Sequence, residues 1–142
     1  MKFFDVKRVV RLMVLLLCAL YIGLFLVGLF LSDSMIFLPH PSSYQDSAEI
    51  LKITTASGKN ISAVYLPNPS AKFTLLVSHG NAEDLGDDKY WLDSFRHAGF
   101  SVFAYDYEGY GTSEGRPSEK ACYEDAVAAY GGAGSRRDPC RR

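Results

Sequence analysis

The sequence predicts an α/β domain preceded by one membrane-spanning helix, and three observations carry that expectation. Residues 73–86, FTLLVSHGNAEDLG, pass from an apolar run (Phe73, Leu75, Leu76, Val77) straight into the turn Ser78-His79-Gly80-Asn81. A short apolar run closed by a glycine turn fits a strand buried on both faces, as in parallel sheets. Residues 87–99 then show helical periodicity and residues 100–107 a second apolar strand, which together make a βαβ unit with a right-handed crossover. Finally, residues 12–32, LMVLLLCALYIGLFLVGLFLS, carry no charge.

That uncharged segment spans about 30 Å as a helix, the thickness of a hydrocarbon core. Cleaved signal peptides have an apolar core of only about 7–15 residues and a small-residue cleavage site, neither of which is found here. Lys2, Lys7, Arg8 and Arg11 precede the segment and Asp33 follows it. The basic excess predicts a cytoplasmic amino terminus (residues 1–11), a single pass through the bilayer (12–32) and an extracytoplasmic remainder.

Residues 33–48 read as a linker. His40 stands between Pro39 and Pro41, which excludes regular helix there, and no carboxylate lies near it in sequence, so a surface role is expected. Residues 49–55 and 61–66 read as two strands joined by Ser57-Gly58-Lys59-Asn60. In the helix 87–99, Trp91, Leu92, Phe95 and Ala98 share a face, and Gly99 suits its end. Pro117-Ser118 opens a further helix with Tyr123, Ala126, Val127 and Tyr130 as its apolar face. At Gly131 the pattern breaks into GGAGSRRDPCRR, read as a disordered tail over 131–142.

Composition narrows the function. The net charge of −1 gives no reason to expect a nucleic-acid partner. Cys18, Cys122 and Cys140 are odd in number and irregular in spacing, which suggests neither a disulfide framework nor a zinc site. Glu83, Asp84, Asp87 and Asp88 lack the alternation of a calcium loop, and carboxylates at the start of a helix are accounted for by its dipole. No metal and no cofactor are expected. Asn60-Ile61-Ser62 fits a glycosylation sequon, a triplet common by chance.

In open α/β sheets ligands gather at the carboxyl ends of the strands, so the turn His79-Gly80-Asn81 is expected where chemistry is done. HGNAED after an apolar strand, followed by FAYDYEGYGTSEGRPS, resembles the α/β-hydrolase superfamily, in particular its membrane-anchored serine esterases, thioesterases and serine aminopeptidase-like enzymes. The resemblance covers roughly residues 37–130, the front half of such a domain, assigned here to residues 49–130. It implies an incomplete α/β-hydrolase-like sheet, with antiparallel first strands followed by the parallel βαβ unit. It also implies that the backbone N–H of Asn81 serves the oxyanion hole, with Gly80 and His79 shaping the turn, and that the substrate of a complete domain is a small acyl compound. His97 is not implicated.

Gly111-Thr112-Ser113-Glu114-Gly115 matches the nucleophile-elbow pattern G-x-S-x-G. An elbow serine sits directly between strand and helix, whereas Ser113 follows Glu-Gly-Tyr-Gly and the next helix is delayed by Arg116 and Pro117. The resemblance makes this a structural loop, with Asp106, Gly109, Gly111 and Ser113 holding it, and Ser113 only a minor candidate nucleophile. A dinucleotide loop is opposed by Glu114 in the third glycine's place and by the charges of Asp106 and Glu108. No histidine follows Tyr130, so the elbow serine, acid and histidine are all expected to be missing. The expectation is a front portion of a hydrolase, inactive alone and marginally stable, with strand 73–78 left as an exposed edge. A non-catalytic membrane-tethered binding or regulatory module is the alternative.

Overall fold

A computed structural model describes residues 6–136, in two compact units that meet between Ile36 and Phe37. The first unit is the helix α1, Val6–Ile36, with no buried residue. With 31 residues and an 18-residue stretch of mean hydropathy 2.8, it is long and apolar enough to cross a membrane.

The second unit is built on a four-stranded mixed sheet. Strands β1 (Leu51–Thr54) and β2 (Asn60–Leu66) pair antiparallel, with Leu51 opposite Ala63 and Thr54 opposite Asn60. Strand β3 (Thr74–Ser78) leads through helix α2 (Lys89–His97) to strand β4 (Ser101–Tyr105), which lies parallel to β3 and antiparallel to β2. The order is β1-β2-β4-β3, followed by helix α3 (Glu119–Ser135). The expected α/β class, antiparallel first strands and parallel βαβ unit are all present.

Alternation along β4 separates two cores. Val102 and Ala104 face α2 and pack with Leu85 and Leu92. Phe103 and Tyr105 face α3 and pack with Ile61, Ala63 and Ala129. All five β4 residues are therefore buried. The double-sided burial expected of strand 73–78 belongs to β4 instead. Among the described residues β3 has one strand neighbour, and Phe73 and Leu76 are 67% and 38% exposed.

The two helices bury different faces from those their apolar residues suggest. In α2 only Leu92 is buried, while Trp91 and Phe95 are exposed, because a nine-residue helix meets the sheet over little more than one turn. Of the expected α3 face, Tyr123, Val127 and Tyr130 point outward and only Ala126 packs against the core, while Ala121, Asp125 and Ala129 face in. The reason is close approach. A Cβ placed on Gly132 would lie 3.0 Å from Ile53 and 3.1 Å from Phe103, so only small residues fit on that side. The same contact carries α3 past Gly131 to Ser135, five residues beyond the expected break. The rest of the expected tail, including Cys140, lies outside the described residues. Ser118 caps α3 by accepting from the Ala121 N–H (3.1 Å), as its position before the apolar run suggests.

Residues 37–48, read as a linker, begin the second unit and are hydrogen-bonded into it.

Candidate functional site

The turn His79-Gly80-Asn81 follows β3 directly, and Asp106 follows β4. Because Ser78 pairs with Tyr105, both lie at the carboxyl ends of the two parallel strands. The turn is held from several sides. The Gly80 N–H donates to Glu83 Oε2 (2.9 Å), and a Cβ on Gly80 would lie 2.6 Å from that oxygen. The Asn81 side-chain carbonyl accepts from the Tyr110 hydroxyl (2.7 Å) and from the N–H groups of Leu38 and Ala82 (3.1 Å each). Ala82 then takes a positive φ of 61°, a conformation costly for an L side chain.

His79 is nearly buried. Its Nδ1 donates to the Gly80 carbonyl (2.7 Å) and its Nε2 accepts from the Tyr107 N–H (3.5 Å), which assigns the tautomer. The ring packs edge-on against Tyr107, with Tyr110 5.2 Å away. Asp106 Oδ1 is 3.6 Å from Nε2, beyond hydrogen-bonding distance.

Asp106 is the hub beneath the turn and is fully buried. Its Oδ1 accepts from the Leu85 N–H (2.9 Å) and its Oδ2 from the Tyr44 hydroxyl (2.5 Å). Burial pushes the Asp106 carboxyl up to about 6, against the lowering effect of those two donors. Burial likewise pushes Tyr44 up to about 12, and the neighbouring Asp106 adds to it. Gly111, at φ 51°, closes over the carboxylate so tightly that a Cβ there would lie 1.9 Å from Oδ2. Gly109 and Gly115 also take positive φ, 80° and 90°.

Ser113 is fastened inside this loop. Its hydroxyl donates to the Asp106 carbonyl (3.1 Å) and accepts from the Ser62 N–H (2.8 Å), tying the loop to β2. Among the described residues it has no histidine partner. Asn60 and Ser62 of the sequon are committed as well. The Asn60 amide donates to Glu114 (3.3 Å), and the buried Ser62 hydroxyl sits between Lys52 (2.8 Å) and Thr112 (2.7 Å).

Several residues of the site have no local signature in the sequence. Ser43 and Tyr44 come from the expected linker, 41 and 62 positions from their partners Asp84 and Asp106. His40, expected to be isolated, meets Asp87 at 2.9 Å. Its ligand atoms and those of Asp84 and Asp87 lie within 4.8 Å of one another, close enough for a metal. Asp84, however, already accepts from the Ser43 N–H and hydroxyl and from the N–H groups of Gly86 and Asp87. Burial alone would raise the Asp84 carboxyl, but these donors hold it below the usual range. The set is closed by its own hydrogen bonds. Asp125 of α3 was also unforeseen. It is fully buried, its Oδ2 accepts from the Glu108 N–H (2.8 Å), and its Oδ1 has no hydrogen-bond partner among the described residues. Burial, with the charges of Glu108 and Glu124, pushes it up to about 6 in spite of that N–H.

Comparison with known proteins agrees with this arrangement. A family profile described as serine aminopeptidase, S33, matches residues 69–130. The alpha/beta hydrolase domain-containing protein 17B of Xenopus tropicalis is 40% identical over 93 residues, which are 64% of this chain and 32% of that protein. The alpha/beta hydrolase domain-containing protein aho-3 of Caenorhabditis elegans is 42% identical over 95 residues, 65% of this chain and 29% of that protein. The chain thus spans about a third of the length of these relatives. An esterase of Pyrococcus furiosus shares the fold with a TM-score of 0.56 at 17% identity, over 71% of this chain and 42% of that one. The chain is a member of the α/β-hydrolase superfamily and carries part of that superfamily's domain.

Proposed function

We propose that this chain is the oxyanion-side portion of a membrane-anchored serine hydrolase acting on ester, thioester or peptide-type acyl bonds. The observation that carries the reading is the placement of His79-Gly80-Asn81 at the carboxyl ends of the parallel pair β3 and β4. In this reading the backbone N–H of Asn81 is one donor to the developing oxyanion, and Gly80 and His79 shape its turn. Asp106, Gly109, Gly111 and Ser113 hold the neighbouring loop and take no part in bond breaking. A full triad would need a serine, an acid and a histidine that the described residues do not bring together, so the chain alone is inactive. Residues 12–32 anchor it in the bilayer, with the amino terminus cytoplasmic because the basic residues precede the span.

Fluorophosphonate labelling of the full chain in membranes tests the reading. No labelling is expected of the chain alone. Co-expression with the carboxyl-terminal two thirds of the Xenopus relative should restore labelling on that fragment's serine. Labelling of the chain alone that vanishes in Ser113→Ala would overturn the assignment. Orientation is checked by protease protection of a carboxyl-terminal tag in sealed vesicles. A non-catalytic membrane-tethered module is the second reading. It is favoured by the engagement of the Ser113 hydroxyl at both Ser62 and Asp106, and it predicts that co-expression restores nothing.

A further inference from the structure

Residues 37–44 lie along the turn that joins β3 to α2. The Leu38 N–H donates to Asn81 Oδ1 (3.1 Å), and the Ser43 N–H donates to Asp84 Oδ2 (2.8 Å) with the Ser43 hydroxyl on Oδ1. Between them, His40 Nε2 lies 2.9 Å from Asp87 Oδ2 and His40 Nδ1 lies 2.7 Å from the Pro41 carbonyl. A neutral imidazole has one N–H and one lone pair, so it cannot donate to both oxygens. Two acceptors on two ring nitrogens call for the doubly protonated ring.

We infer that His40 is the cationic half of a pH-dependent clasp fastening residues 37–44 to the acidic turn that carries Asn81. The charges facing it are Asp87 and Asp84, and the same turn adds Glu83 and Asp88. The ring holds its proton above its ordinary value of 6.5. The Pro41 carbonyl contributes most, slight burial opposes it, and Asp87 and Asp84 add to it. Because the folded value is raised, the clasp is fully fastened below about 6.5 and is lost as pH rises through the folded value. Its opening removes the tie between Leu38 and Ser43, so the grip of Leu38 on the Asn81 carbonyl loosens with it.

The test is a pH titration by NMR of the full chain in detergent micelles with 15N-labelled histidine. The chain has three histidines, and His40→Gln identifies the His40 signals. Both ring nitrogens should be protonated at low pH, with a midpoint above 6.5, and the Leu38 and Asn81 amide signals should move with the same midpoint. Asp87→Asn should lower the His40 midpoint, because it removes one of the groups that raise it. That variant also changes the acceptor of the Asp84 N–H, whereas His40→Gln leaves it in place and should abolish the coupled movement of Leu38 and Asn81. A His40 midpoint at or below 6.5 would overturn the clasp. So would a titration that leaves Leu38 and Asn81 still.

Discussion

Replacing Asp106 by Asn removes a charge from a fully buried carboxyl of the site while keeping its shape. The asparagine carbonyl can still accept from the Leu85 N–H, and its amide can donate to the Tyr44 oxygen. The folded Asp106 titrates near 6 against an ordinary value of 3.8, a difference worth about 3 kcal/mol. The sign follows from the direction of the shift. A carboxyl whose folded value is raised stabilises the protein fully below the unfolded value, and that stability is lost as pH rises through the folded one. Asp125, raised likewise to about 6, acts in the same sense and is untouched by the substitution. Carboxylates held low, such as Asp84, act in the opposite sense and are also common to both proteins. The difference between the two proteins therefore isolates Asp106. It should move in favour of the asparagine by about 3 kcal/mol between about pH 3 and about pH 7. Pulse proteolysis in urea, on the full chain in mild detergent, reads that difference at each pH. Profiles that run parallel across the window would refute the buried-carboxyl account.

Three further substitutions probe the same framework. Gly111→Ala should cost at least about 2 kcal/mol, since the site has φ 51° and a Cβ would lie 1.9 Å from Asp106 Oδ2; thermal unfolding measures the loss. Ser113→Ala should cost about 1–3 kcal/mol by leaving the buried Ser62 N–H without its acceptor, and hydrogen exchange at that amide should quicken. On α3, Ala129→Leu should cost about 1–3 kcal/mol or more through overpacking against Phe103, whereas Val127→Ser should stay within about 0.5 kcal/mol. Equal effects at these two positions, measured by urea midpoint, would contradict the inward face assigned to the helix.

The fold was legible where chemistry is local. The glycine turn after Val77, the helix end at Gly99 and the cap at Ser118 each announce themselves within a few residues, and the structure has them. The helix faces were not legible in the same way. Tyr123, Val127 and Tyr130 form the more hydrophobic stripe of α3, yet what selects the inward face is the space left by Ile53 and Phe103, which no local pattern records. The glycines from 131 on read as a break for the same reason. At the site, the turn at Asn81 and the loop from Asp106 to Ser113 carried recognisable patterns. Tyr44, Ser43 and His40 did not, because their partners lie 41 to 62 positions away and the prolines around them read as a spacer. Asp125 carries no signal of its burial, because its hydrogen-bond partner, the Glu108 N–H, lies 17 positions away in a loop.

The reach of Ser43 and Tyr44 into the turn bears on how the domain can be separated from its helix. Excision at residue 49, where regular strand was expected to begin, would strip the hydroxyl from Asp106 and two donors from Asp84. The shortened domain would then leave the carboxylates beneath the loop short of donors. Scission just after Ile36 keeps every one of those donors, so the peptide that looks like a tether belongs with the domain it precedes.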